Sequence, residues 1–190
     1  MTPISIPQEN LAQERRSALL TIGLLLISLL LGWQVKTAVQ NATRTVERDG
    51  FTAEIPDGWL VQDGAGDLVF VARNPLALDH LYRVSQVAAA DDLVLLAENR
   101  NLERGRLDET FRILAAEPVV FAGQDAYKVS FARADIDSPG LPHVIEGVDY
   151  YFTEGDQVTV LSLEAQTDVF ADVLPAFQNF VQSVHYTAGE

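Results

Sequence analysis

The chain of 190 residues is 48% hydrophobic and 21% charged, a composition that excludes a disordered chain, and its 12 Gly and 8 Pro exclude a fibrous one. It contains no cysteine, which excludes a disulfide scaffold, a thiolate-bound metal or iron–sulfur centre, a thiol nucleophile, c-type haem attachment and a lipid-modified cysteine. A formal net charge of −14 repels phosphate backbones, so no nucleic-acid partner is expected.

Residues 1–16 read as a cytoplasmic tail ending in Arg15 and Arg16. The 19 residues from Ser17 to Val35 carry no charge. As a helix they span roughly 28 Å, against a bilayer core of about 30 Å. The pattern predicts a transmembrane helix over 17–35, with Trp33 as its interfacial anchor. A cleaved secretory signal has a shorter apolar run ending at a small-x-small site. Here Leu24–Leu31 continues into Gly32, Trp33, Gln34, Val35 and Lys36, so the segment reads as a retained anchor. Basic residues stand on both sides (Arg15 and Arg16 before; Lys36, Arg44 and Arg48 after), and the positive-inside rule comes near a tie. A short tail before a signal-anchor helix then places the N-terminus in the cytoplasm. The C-terminal domain follows on the periplasmic, extracytoplasmic side of the cell (inner) membrane. Ser17, Thr21, Ser28 and Gly32 share one stripe of the helix. Ser28-x-x-x-Gly32 is a small-xxx-small pair of the kind that lets helix backbones approach. The stripe predicts a helix-packing face toward other transmembrane subunits, the remaining surface meeting the lipid bilayer.

Residues 36–50 are polar without a strong period and read as a linker. Beyond them, Phe51–Ile55 alternates as a strand does, and Pro56-Asp57-Gly58 is a turn in which Pro presets φ and Asp bonds its own backbone. Trp59–Gln62, Leu68–Arg73 and Tyr82–Ala89 are the next strands. Asp91 or Asp92 caps a helix with Leu93, Leu96, Ala97 and Leu102 on its apolar side, ending at Gly105. Four β segments follow at Thr110–Ala116, Val119–Phe121, Ala126–Ala134 and His143–Thr153, the first two readable as one bent strand. Glu154-Gly155-Asp156 turns the chain into Gln157–Ala165. Phe170, Val173, Leu174, Phe177, Phe180, Val181 and Val184 recur with helical spacing. Proline is costly inside a helix, by about 3 kcal/mol, so this last helix is expected to start or restart near Pro175.

Hairpins separated by helices, without regular βαβ alternation, define an α+β domain: an antiparallel sheet with two packed helices, preceded by one transmembrane α-helix. The extracytoplasmic domain covers 51–187, and 188–190 form a tail. Phe51-x-x-x-Ile55-Pro56-x-Gly58-Trp59, Gly123-x-x-Ala126-Tyr127, the hairpin Tyr150–Leu163 and Phe177-x-x-Phe180-Val181-x-Ser183-Val184 together resemble PsbP-like domains, the first motif matching that family's opening hairpin. The resemblance implies a PsbP-like fold and an accessory role, since family members are mostly extrinsic subunits of photosynthetic complexes or exported bacterial proteins. Many bacterial members attach through a lipid, where this chain has a helix.

No catalytic constellation stands out. His80, His143 and His185 have no metal-ligand spacing from one another. The first two read as loop or edge residues, and His185 as a cation at a helix end. There is no nucleophile elbow, and the Gly64-x-Gly66 turn is too short for a dinucleotide fingerprint. Asp135-x-Asp137-x-Pro139-Gly140 leading to Glu146 matches four positions of a calcium loop. Position five is Pro139 and no flanking helices are expected, so Asp135, Asp137 and Glu146 remain weak metal candidates beside the reading of solvated loop carboxylates. Residues 51–190 hold 8 Lys/Arg and 23 Asp/Glu. Asp63, Asp67, Asp149, Glu154 and Asp156 read as an acidic face that keeps the domain soluble or steers a basic soluble protein. The expectation is therefore a non-catalytic, cofactor-free, single-pass accessory subunit of a larger membrane complex of photosynthetic or respiratory electron transfer. The alternative is a stand-alone membrane-tethered binding module for a cation, a ligand or a basic soluble protein.

Overall fold

The computed structural model describes residues 8–40, 42–77, 79–88, 92–136 and 141–187. The chain divides into two units, Met1–Ala42 and Thr43–Glu190.

The first unit is helix α1 (Gln8–Gln40). Its stretch Ser17–Lys36, 20 residues with mean hydropathy 2.1, is long and apolar enough to cross a membrane. Two of its hydroxyls are satisfied within the helix. Thr21 Oγ1 donates to the Ser17 carbonyl at 3.0 Å and Ser28 Oγ to that of Leu24 at 2.9 Å. Back-bonding of this kind removes the polar demand of a hydroxyl surrounded by leucines.

The second unit begins earlier than the sequence pattern indicated. Residues 43–48, expected in the linker, form strand β1 (Thr43–Arg48), which pairs antiparallel with β2 (Phe51–Pro56). Asp49 and Gly50 join them with φ of 47° and 80°. Positive φ at both central residues is the two-residue turn whose twist matches a hairpin, and Asp-Gly is among its preferred pairs. Strand β10 (His185–Tyr186) adds to the other side of β2, giving a three-stranded sheet β1-β2-β10. The opening β2 and β3 (Leu60–Asp63) do not form a hairpin. The Pro56-Asp57-Gly58 turn carries the chain from the small sheet to the large one, where β3 pairs with β4 (Leu68–Arg73).

The large antiparallel sheet has the order β3-β4-β5-β9-β8-β7-β6. Its other strands are β5 (Leu81–Ala88), β6 (Arg112–Phe121), β7 (Gln124–Asp135), β8 (His143–Glu154) and β9 (Gln157–Gln166). The two segments expected near 110–121 are one strand, bulged between Ile113 and Ala115. It contains Pro118, which lacks an N–H, and the fold accommodates it on an edge.

Helix α3 (Thr167–Ser183) lies on one face with the small sheet. Phe177, Phe180 and Val181 enter a core with Phe51, Ile55, Phe70, Tyr82, Tyr150 and Leu163. The helix runs through Pro175 rather than starting there. Pro175 and Ala171 are both exposed, so water can take the carbonyl that the missing N–H leaves unpaired. Burial of the aromatic face outweighs the remaining cost.

Helix α2 (Leu93–Leu107) covers the opposite face. Asp92 caps it, accepting a hydrogen bond from the Val94 amide at 2.8 Å. Leu93, Leu96 and Ala97 pack on Val87, Tyr127, Val129, Tyr151, Val158 and Val160. Leu102, expected on the apolar side, is exposed, and the buried residue at that level is Asn101. The helix continues past Gly105 to Leu107, where Asp108 ends it by donating its backbone N–H to the Arg104 carbonyl.

Candidate functional site

The face beneath α2 changes character along its strands. Residues two apart in a strand share a face, so Tyr127, Val129, Phe131, Arg133 and Asp135 of β7 line up on it. So do Tyr151, Asp149, Gly147, Ile145 and His143 of β8, and Val158, Val160, Ser162, Glu164 and Gln166 of β9. The apolar ends of these rows lie under the first turns of α2. The charged ends are the candidate site.

At its centre Glu164 is 5% exposed. Arg83 of β5 binds its Oε1, and Arg133 binds Oε2 through Nη2 at 2.9 Å and Nε at 3.3 Å. Burial favours the neutral acid, but the Arg83 and Arg133 charges outweigh it and hold the carboxyl below the usual carboxylate range. In the next strand Gly147 leaves room for the Phe131 ring. A Cβ at this position would overlap the ring.

Asp149, expected on the acidic surface, is wholly buried. It lies on β8 between two other strands, on the face that α2 covers. Its Oδ2 accepts from Arg104 Nη1 of α2 at 2.5 Å and from the Tyr151 hydroxyl at 3.4 Å. The Arg104 guanidinium also stands 5.1 Å from the centre of the Phe131 ring and 6.0 Å from that of Phe111. Burial raises the Tyr151 phenol's pKa, and the neighbouring Asp149 charge adds to the effect. A cavity of about 220 Å³ opens here, lined by Arg83, Arg104, Arg133, Glu164, Phe111 and Phe131, with Leu107 and Asp108.

Farther along the same face, His143 Nε2 lies 3.0 Å from Asp79 Oδ2 and 4.0 Å from Asp135 Oδ2. Gln166 Nε2 donates to the same Asp79 oxygen at 3.0 Å. The hydrogen bond to Asp79 raises the imidazole's pKa, and the two aspartate charges add to it. One ligand atom from each of Asp79, Asp135 and His143 lies within 4.8 Å of the others. One imidazole and two carboxylates can hold a transition-series divalent cation, where calcium prefers six to eight oxygens.

Of the three metal candidates read from the sequence, only Asp135 belongs to this trio. Glu146 pairs with Ala132, whereas Asp135 pairs with His143, so Glu146 sits on the other face of the sheet. Asp137 lies outside the described residues. His185 belongs to β10 rather than to a helix end. His80 lies in the loop before β5, as expected, and is buried there, its ring 4.6 Å from Trp59 and 5.8 Å from Tyr82.

On α1, Ser17, Thr21, Ser28 and Gly32 are exposed. A Cβ added at Gly32 would have no atom within 4 Å. The sequence reading missed Arg83, Arg104, Arg133 and Glu164. The available signal was a charged residue at the inward parity of strands whose other inward positions are apolar, as in Val158-x-Val160-x-Ser162-x-Glu164.

With two antiparallel sheets, α3 on one side and α2 on the other, the second unit has a PsbP-like α+β fold. It is similar to the solution structure of cyanobacterial PsbP (CyanoP) from Synechocystis sp. PCC 6803, with a TM-score of 0.59 and 14% identity over 77% of this chain and 93% of that one. It is also similar to the crystal structure of the Ran-binding protein Mog1p of Saccharomyces cerevisiae, with a TM-score of 0.53 and 15% identity over 76% and 95% of the two chains. At such identities the likeness is one of fold. No family model and no curated protein matches the sequence.

Proposed function

We propose that the chain is a non-catalytic, single-pass accessory subunit of a larger membrane protein complex, of the energy-converting kind that serves photosynthetic or respiratory electron transfer. The observation that carries this reading is α1. All twelve large apolar side chains from Leu19 to Val35 are at least 53% exposed. At about 1.5–3 kcal/mol each, leaving them in water costs on the order of 20 kcal/mol or more. Lipid and neighbouring helices are the media that remove this cost. The Ser17, Thr21, Ser28 and Gly32 stripe supplies a low-relief face for a neighbouring helix, and the PsbP-like fold supports an accessory role outside the cytoplasm.

Membranes washed with alkaline carbonate should retain the protein. After gentle solubilisation, native electrophoresis should show it in a band well above its own mass. Release by carbonate, or migration as a free monomer, would overturn the proposal. A second reading, a tethered cation-binding module, is favoured by the Asp79, Asp135 and His143 trio. Titration with zinc should then give heat that Asp135→Asn and His143→Gln each remove.

A further inference from the structure

We propose that the cavity beside the C-terminal end of α2 is a binding site for a small organic carboxylate with a flat apolar body. The inference is independent of the accessory-subunit reading. Its basis is a set of oriented guanidinium donors around a shaped space. Arg83, Arg104 and Arg133 line the cavity, and guanidinium groups keep their charge at any ordinary pH. The two buried carboxylates, Glu164 and Asp149, are shared among these three cations. The third carboxylate, Asp108, stands at the rim and is already engaged, its Oδ1 accepting from the Thr110 amide at 2.8 Å and the Thr110 hydroxyl at 2.6 Å. Asp108 keeps its charge, which acts on Arg133 together with those of Glu164 and Asp135, so an anion would be held here by directed guanidinium N–H donors rather than by a net positive charge.

The arginines also have donors to spare. Among the described residues, Arg83 and Arg104 each donate one side-chain hydrogen bond. A guanidinium has five N–H groups in a planar fork that matches a carboxylate bidentately. Glu164 and Asp149 hold these forks in place, so a ligand would meet oriented donors rather than flexible ones.

The rest of the lining is apolar and aromatic. The Phe111 and Phe131 rings lie 5.1 Å apart, and Leu107 is 89% exposed. The guanidinium of Arg104 lies over both rings, so the same small space offers N–H donors to an anion and ring carbon to a flat hydrocarbon. The volume of about 220 Å³ falls below the roughly 300 Å³ at which pockets accept drug-sized ligands. The occupant is therefore of fragment size.

The test uses the full chain in detergent, with benzoate as probe and benzamide as its uncharged counterpart, followed by saturation-transfer NMR and calorimetry. Benzoate should bind with Kd on the order of 1 mM or tighter, and benzamide about tenfold more weakly or worse. Arg83→Gln leaves Glu164 paired with Arg133 and should weaken benzoate about tenfold. Lys128→Gln, at the pair with Glu117 on the edge hairpin, should leave binding unchanged. Should Arg83→Gln fail to fold, Leu107→Glu gives the same reading from an exposed position, since a like charge at the mouth should abolish benzoate binding. No signal from benzoate at about 10 mM, equal binding of benzamide, or full benzoate affinity in the folded variants would each overturn the proposal.

Discussion

Lowering the pH below about 6.5 should destabilise the second unit through His80. The ring is 9% exposed, packed edge-on to Trp59, and among the described residues its Nε2 has no hydrogen-bond partner. Burial without a counter-charge lowers its pKa from 6.5 to about 4. In the folded chain the imidazole stays neutral across that window, while in the unfolded chain it takes up a proton. The unfolded state thus binds more protons between pH 6.5 and about 4, and stability falls as the pH drops. At about 1.4 kcal/mol per tenfold change in proton affinity, the interval amounts to about 3 kcal/mol. Below about pH 4 both states are protonated and this contribution stops changing. His80→Phe keeps a ring against Trp59 and removes the titration. Urea unfolding followed by circular dichroism, at pH values from 8 to 4, should show the wild type losing about 3 kcal/mol more than His80→Phe. Parallel curves for the two proteins would refute the reasoning.

Other outcomes follow from packing and charge. Gly147→Ala should lower stability by about 1–3 kcal/mol, because the new Cβ meets the Phe131 ring; thermal unfolding measures it. Arg104→Met should cost about 3–5 kcal/mol by leaving Asp149 charged and unpaired in the interior. The double variant Arg104→Met/Asp149→Leu should recover most of that loss, and failure to recover would show that the pair is not the source. In α1, Gly32→Leu should leave carbonate retention intact while shifting the native-gel band toward the free protein; an unchanged band would remove Gly32 from the packing face.

Much of the fold is readable in local pattern. Leu68–Arg73 is a short continuous apolar run bounded by turns, and its bounds agree with the sequence reading. β1 escaped because Thr43-Arg-Thr-Val-Glu-Arg48 buries Val46 alone, so it has almost no hydrophobic period. The Asp49-Gly50 pair was the signal that pointed to a hairpin there. Pro175 misled because the penalty for an interior proline is a local property, whereas the burial that offsets it belongs to α3 packed on two sheets. Leu102 and Asn101 exchanged expected roles because a one-residue change moves about 100° around a helix, which residue type alone does not fix.

The candidate site was less legible for a related reason. Asp135 drew attention through its loop spacing, yet its partners His143 and Asp79 come from the other side of a strand pairing and from a different loop. Arg83, Arg104, Arg133 and Glu164 lie far apart in sequence and share no motif. They come together through the β5-β9-β8-β7 order and the placement of α2. A motif records neighbours along the chain, and this cluster consists of neighbours across a sheet.

The proline in β6 has a consequence for how copies of the protein behave when crowded. An edge ten residues long offers a second chain a ladder on which to zip, the first step toward polymer growth. Pro118 lacks one rung near the middle of that ladder, and at the opposite edge β3 has only four residues. A missing rung at one edge and a short strand at the other keep each sheet separate from the next wherever copies crowd together.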